Sequence, residues 1–134
     1  MQQKTVLTLA DAKQIVAAAE AEAAAHQWNV AIAIVDDGGN LMLLHRMDGT
    51  QIASGEICVL KAKTAIGLKR PSKAVEDAVA TGRLGMLQMP GVLALEGGVP
   101  LIHQSEILGA IGVSGVMSFE DGIVARAGAA VLAP

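Results

Sequence analysis

The feature that most constrains this sequence is an unbroken apolar run, Val30-Ala-Ile-Ala-Ile-Val35, rich in β-branched side chains. A strand with one face in water alternates apolar and polar residues, whereas this run has no polar position. It therefore predicts a central strand that is buried on both faces. The turn residues Asp36-Asp-Gly-Gly-Asn40 follow, and Leu41–Met47 returns as a second strand, so together they predict a β-hairpin.

Helical patterns lie on both sides of this hairpin. Thr8 and Asp11 have the spacing of a capping box and predict a first helix that runs to about His26. Pro71 ends a longer pattern, because the residue before a proline avoids helical geometry. The helices predicted after the hairpin are Ile52–Lys69, Ser72–Gly82 with Ser72 as its cap, and Glu120–Leu132 with Ser118 and Asp121 in capping-box spacing.

A second pair of strands precedes the last helix. Val99–His103 and Ile107–Ser114 flank a short turn, and Val92–Glu96 is predicted as a further short strand before Gly97-Gly98. The resulting order, α-β-β-α-α-β-β-α, predicts an α/β (α+β) fold in which helices cover one mostly antiparallel sheet. The chain of 134 residues suits a single domain over residues 1–134.

Composition argues against several classes of function. The net charge is −3 and no basic cluster is paired with aromatic residues, so we expect no nucleic-acid partner. No apolar run is long enough to span a membrane, so we expect no membrane partner, and a cytoplasmic location follows. The single cysteine, Cys58, agrees with a reducing compartment, and no metal-ligand spacing stands out.

Short motifs along nearly the whole chain occur in an order that is typical of one protein family. They are Leu7-Thr-Leu-x-x-Ala12, Val35-Asp36-x-x-Gly39-Asn40-Leu41, Arg46-Met47-Asp48-Gly49, Lys61-Ala62-x-Thr64-Ala65, Pro90-Gly91, Gly97-Gly98-x-Pro100, Gly109-Ala-Ile-Gly-Val-Ser-Gly115, and Asp121 with Ala125-Arg-Ala-Gly-Ala-Ala130. This ordered set resembles the GlcG/HbpS (haem-binding-like) family. The resemblance implies a profilin-like three-layer sandwich and a symmetric homo-oligomer, such as an octamer.

The same resemblance implies a small-ligand-binding protein. Some members of the family bind haem, and others accompany the catabolism of small carboxylates of the glycolate type or of aromatic compounds. Haem-binding relatives take an iron ligand from a histidine in or near the N-terminal helix. Here the body of that helix carries Lys13 and Gln14, so His26, at its far end, is the candidate haem ligand.

Two cations are candidates for binding an anionic small molecule. Arg46 lies among apolar residues of the second strand, and its planar guanidinium suits a ligand carboxylate or a haem propionate. The alternative is a structural ion pair with Asp36 or Asp48. Lys61, in the middle of a helix, is suited to neutralise an anion or to act as a nucleophilic amine. The alternative for Lys61 is a snorkelling side chain at an oligomer contact.

Glycines and small polar residues complete the predicted site. Gly97 and Gly98 indicate that something approaches the backbone closely, either a ligand on main-chain N–H groups or a facing helix. Ser54 lies near a helix start and is predicted to line the pocket, as is Asp121. The alternative function is an enzyme that acts on a small carboxylate by acid–base chemistry of the hydrolase or isomerase type. In that case Lys61, Asp121 or a histidine carries the proton.

Overall fold

The central strand predicted from the apolar run lies in the interior of a four-stranded antiparallel sheet. This computed structural model describes residues 1–132, and residues 31–35 are completely buried in it. The sheet order is β2-β1-β4-β3. The strands are β1 (Ala31–Asp36), β2 (Leu41–Arg46), β3 (Gly98–His103) and β4 (Glu106–Ser114).

Helices cover both faces of this sheet, which confirms the predicted fold class and its three layers. The first and last helices pack on one face, and the long middle helix packs on the other. The predicted Thr8–Asp11 capping box is present at the start of the first helix. The helices are α1 (Leu9–Ala25), α2 (Ser54–Leu68), α3 (Ser72–Ala80) and α4 (Ser118–Ala129), with 3₁₀ turns at Leu84–Gln88 and Ala130–Leu132.

The two faces of the sheet differ in the size of their side chains. Ile32 and Ile34 point into the larger core, against α1 and α4. Ala33 points to the other face, where Gly112 and Gly98 stand beside it on β4 and β3. A Cβ on Gly112 would overlap a backbone carbonyl of α2, and so would one on Gly98. Helix α2 therefore packs directly against the sheet backbone at a strip of small residues, Gly98, Gly112 and Ala33, which we call the glycine strip.

The predicted strand at Val92–Glu96 is wrong, because this segment binds a helix and no strand. The backbone N–H of Leu93 donates to the Thr64 hydroxyl at 2.9 Å, and Thr64 belongs to α2. Gly97 then adopts φ +132°, a left-handed conformation that lets the chain turn into β3.

Two predicted helix caps are also wrong, because their side chains point into the protein. Ser72 lies inside the first turn of α3, and its hydroxyl accepts from the Gly98 N–H at 2.8 Å. The predicted capping box of Ser118 and Asp121 is absent, because α4 begins at Ser118 and its N-cap residue is Met117. Glu120 accepts the Met117 N–H at the start of that helix, which leaves the Asp121 carboxylate for the interior.

Candidate functional site

A lysine is the largest fully buried side chain of the described chain. Lys61 of α2 is only 2% exposed. Its ammonium lies beside Val113 of β4, the residue that follows Gly112, which is the partner of the first β3 residue, Gly98. The Val113 N–H donates to the Gly97 carbonyl, so the Val113 carbonyl faces the same edge. Lys61 Nζ donates to that carbonyl at 3.0 Å and to Asp121 Oδ2 at 3.0 Å. The ammonium thus replaces the donor that a longer β3 would supply.

Asp121, at the start of α4, is the ionic partner of this lysine. It is 2% exposed, and its other oxygen, Oδ1, accepts the Val116 N–H at 3.1 Å. Burial raises the pKa of Asp121 to about 6, while the charge and hydrogen bond of Lys61 act to lower it. The carboxylate is therefore ionised at neutral pH and takes up a proton in mildly acidic solution.

Gly97 and Gly98 lie against Lys61. A Cβ on Gly97 would lie 2.9 Å from Lys61 Nζ, so only glycine leaves room for the ammonium. The Gly98 N–H already donates to the Ser72 hydroxyl. The close approach is therefore made within the chain, by Lys61 of α2 at both glycines and by the Val113 carbonyl of β4 at Gly97, and the Gly98 donor is also used within the chain.

Ser54 lies at the other end of a row of buried polar side chains along α2. This buried polar row consists of Ser54 and Lys61 with their partners Ser114 and Asp121. Its hydroxyl accepts a bond of 3.2 Å from the Ser114 hydroxyl, and both serines are buried between α2 and β4. Cys58 lies one turn after Ser54, and burial raises the pKa of its thiol to about 12. The thiol is therefore protonated and unreactive at neutral pH.

Arg46 corrects one premise of the sequence analysis, because its side chain is exposed. It lies on β2, one of the two edge strands of the sheet, at an exposed position. Within residues 1–132 it forms no ion pair with Asp36 or Asp48. Asp36 instead accepts bonds from the Gly38 and Asn40 backbones in the hairpin turn. Arg46 shares a cross-strand row with Ala31 and Ser114, so it lies at the Ser54 end of the buried polar row.

His26 lies at the exposed C-terminal end of α1. Its Nε2 is 3.2 Å from a carboxylate oxygen of Glu22, and its ring stacks on Trp28 with the centroids 4.2 Å apart. The other ring nitrogen, Nδ1, forms no hydrogen bond within residues 1–132. His45 and His103 each use Nδ1 in a hydrogen bond, to Glu20 and to the Leu132 carbonyl.

The buried carboxylate of Glu96 is a further charged group of this region that no sequence pattern predicted. Its Oε2 accepts a bond of 3.1 Å from Arg126 Nη1, and Gly122 leaves room for the carboxylate on α4. A charged residue at the end of an apolar segment, followed by Gly97, was the available signal for a loop that turns inward. Within residues 1–132, no three side chains of the metal-binding types are grouped to hold an ion.

These observations define a class of protein: a small α/β/α sandwich whose α2–sheet–α4 junction is held by a buried lysine–aspartate pair. Residues 7–130 match the family described as "Haem degrading protein HbpS-like". The chain belongs to this HbpS-like family, which confirms the prediction from its motifs. No helix within residues 1–132 is both long and apolar enough to cross a membrane.

Individual relatives are similar to the chain over almost its whole length. Protein GlcG of Escherichia coli K12 is 42% identical over 133 residues, which are 99% of each chain. The crystal structure of HbpS is 34% identical, with a TM-score of 0.91 over 100% of this chain and 95% of that one. The crystal structure of a PduOC:Heme complex is 27% identical, with a TM-score of 0.87 over 96% of each chain.

Proposed function

We propose that this chain is a small-ligand-binding protein, that its ligand is anionic, and that haem is the first candidate. The observation that carries the proposal is the likeness, over 96% of both chains, to a protein whose solved structure is a haem complex. The family description, which names a haem-degrading protein, supports the same ligand class. Binding is favoured over acid–base catalysis because Lys61 and Asp121 are buried and bonded to each other, whereas a proton carrier must reach its substrate.

The residues of this chain fit a haem ligand at one position. An imidazole nitrogen is a common axial ligand of haem iron, and its second nitrogen is usually held by a carboxylate or a carbonyl. His26 has this arrangement, because Glu22 holds Nε2 and Nδ1 has no hydrogen-bond partner in the described part of the chain. Bound haem would supply a redox-active iron, whereas the chain supplies the imidazole and the charges that hold the propionates.

We assign the anionic group of the ligand to the predicted site residues. Arg46 is exposed and has no carboxylate partner within residues 1–132, so it makes the outer contact. Ser54 marks the near end of the buried row, and Lys61, paired with Asp121, lies about two helical turns further along α2. Gly97 and Gly98 keep the ammonium of Lys61 in place.

Titration of the purified protein with haemin tests the proposal. We expect a shifted, saturable Soret band that is weakened about tenfold or more in His26→Ala, since an axial bond is lost. His103→Ala, at the other end of the sheet, is the matched control and should bind as the wild type does. No shift with the wild type rejects haem, and an unchanged titration of His26→Ala rejects this ligand assignment.

We also propose that the chain forms a homo-oligomer, with an octamer as the assembly that the family resemblance implies. Ile52, Met117 and Phe119 are 87%, 64% and 57% exposed at the starts of α2 and α4. The Ser54–Ser114 bond links the two segments that carry these side chains, and exposed apolar side chains of this size are usual at contacts between copies of a chain. Light scattering should show an assembly that Phe119→Lys dissociates, and a wild-type monomer at micromolar concentration would contradict the proposal.

The cellular role that we propose is that of a cytoplasmic accessory to a catabolic pathway for small carboxylates or aromatic compounds. The reduced, unreactive Cys58 thiol suits a cytoplasmic location. An anion-binding protein suits a pathway whose intermediates are carboxylates. Recovery of the protein from a periplasmic rather than a cytoplasmic fraction would overturn the location.

A further inference from the structure

A cavity of about 640 Å³ lies at the C-terminal end of α2 and shares no lining residue with the proposed haem site. The hairpin turn at residues 37–40 forms one wall, and Pro90 with Gly91 forms the other. The floor is α2 itself, where Ile66 is nearly buried and a Cβ on Gly67 would meet no atom within 4 Å. The volume falls within the range of about 300–1,000 Å³ that is usual for small-molecule sites.

The charge of this cavity is positive, although the whole chain carries −3. Lys63 and Lys69 line it, both are exposed, and neither forms an ion pair within residues 1–132. The one carboxylate in its lining, Asp37, is already paired with Lys4 at 2.7 Å. Glu106 lies in an adjoining cavity of about 320 Å³, which Lys4 and Lys69 also line. Uncompensated ammonium groups around a concave surface attract an anion.

The backbone of Lys69 provides a separate observation. Lys69 caps the end of α2 in the left-handed conformation, with φ 53° and ψ 43°. Glycine is the usual residue there because a Cβ is unfavourable in this conformation. A residue with a strained backbone at the rim of a cavity is a reason to ask what its side chain does. Here the strain places an ammonium group at the cavity, where a glycine cap would supply none.

We propose that this cavity binds a small organic dianion, namely a short dicarboxylate, between Lys63 and Lys69. Lys69 follows Lys63 by six positions, which corresponds to about 9 Å along the helix axis and suits two anionic groups on one molecule. The apolar floor at Ile66 accepts the short carbon chain between these groups. The site is independent of the haem proposal, because it shares no residue with His26, Arg46 or the buried row.

Calorimetric titration with succinate, acetate and inorganic phosphate tests this site. The wild type should bind succinate, and at least about tenfold more tightly than acetate. Lys69→Gly should weaken succinate binding about tenfold, since a charge-assisted bond is lost, and yet unfold at the same temperature or higher, because the strain is relieved. A merely structural role for Lys69 would not separate affinity from stability in this way.

Matched controls make each outcome decisive. Lys63→Ala should also weaken succinate binding, whereas Lys13→Ala, on an exposed position of α1, should not. Absence of succinate binding, or an unchanged affinity in Lys69→Gly, overturns the proposal. Acetate or phosphate that binds as tightly as succinate overturns the dicarboxylate assignment. Haemin binding by Lys69→Gly should equal that of the wild type, so failure here is distinguishable from failure of the haem proposal.

Discussion

Replacing Lys61 with methionine is expected to lower the free energy of unfolding by about 3–5 kcal/mol at neutral pH, the usual cost of breaking a buried ion pair. The substitution leaves the Asp121 carboxylate 2% exposed and without its cation. A domain of this size is stable by about 5–15 kcal/mol, so the variant loses a large share of its stability. Urea denaturation followed by circular dichroism measures the change.

The cost of this substitution should grow with pH. In the wild type, burial raises the pKa of Asp121 from 3.8 to about 6. The stability that protonation of Asp121 contributes is therefore fully present below pH 3.8 and is lost as the pH rises through 6. Methionine removes the charge that lowers this pKa, so the pKa of Asp121 rises further in the variant. The variant then continues to lose stability above pH 6, where the wild type has levelled off for this group.

The double variant Lys61→Met/Asp121→Asn is the matched control. Asparagine keeps an oxygen that accepts the Val116 N–H but carries no charge to bury. We expect it to recover most of the lost stability and to remove the added pH dependence. A single variant as stable as the wild type at pH 8 would show that the pair does not hold the junction.

Two features that local sequence encodes, the central strand and the first helix start, were predicted correctly. The Val30–Val35 run specifies a doubly buried strand through its own composition, and it became β1. Thr8 and Asp11 specify a helix start through a spacing of three residues, and their capping box is present. Such signals need no knowledge of the rest of the chain, since the interacting groups are neighbours in sequence.

The parts that failed depend on contacts between distant residues. Arg46 was expected among buried side chains, but its exposure follows from β2 being the edge strand, which is a property of strand order. Asp121 was predicted to cap a helix, but it pairs with Lys61, which is 60 residues away in the sequence. Glu96 was assigned to a strand, although Arg126 holds it from α4. No local pattern records these pairings.

The predicted site lies between these two cases. Lys61, Gly97, Gly98 and Asp121 were chosen separately, and the structure places them within one junction. Each had a local signal: a charge inside an apolar pattern, a glycine pair before a strand, or an acid at a helix start. No local signal predicted that these residues contact one another, because the spacing of the glycines does not show whether a ligand or a helix fills the space beside them.

Substituting alanine for Gly112 is expected to destabilise the protein by about 3 kcal/mol, at the upper end of the usual cost of overpacking a core. Gly112 stands in the middle of the sheet, between Gly98 on β3 and Ala33 on β1. The added methyl group would overlap the Cys58 carbonyl, and it would lie 2.6 Å from the Ala62 nitrogen. Backbone atoms of a helix cannot rotate away as a side chain does, so α2 as a whole has to rise from the sheet.

Gly55→Ala on the same helix is the matched control for this prediction. A Cβ at Gly55 meets no atom within 4 Å, and alanine is the better helix former, so this variant should be as stable as the wild type or slightly more so. Thermal and urea unfolding of the two variants compare one added methyl group in two environments. Lifting α2 also pulls Lys61 from Asp121, so Gly112→Ala should show part of the pH dependence expected for Lys61→Met. Equal stability of the two alanine variants would mean that α2 does not lie on the glycine strip, and the lysine–aspartate junction would then lack its structural basis.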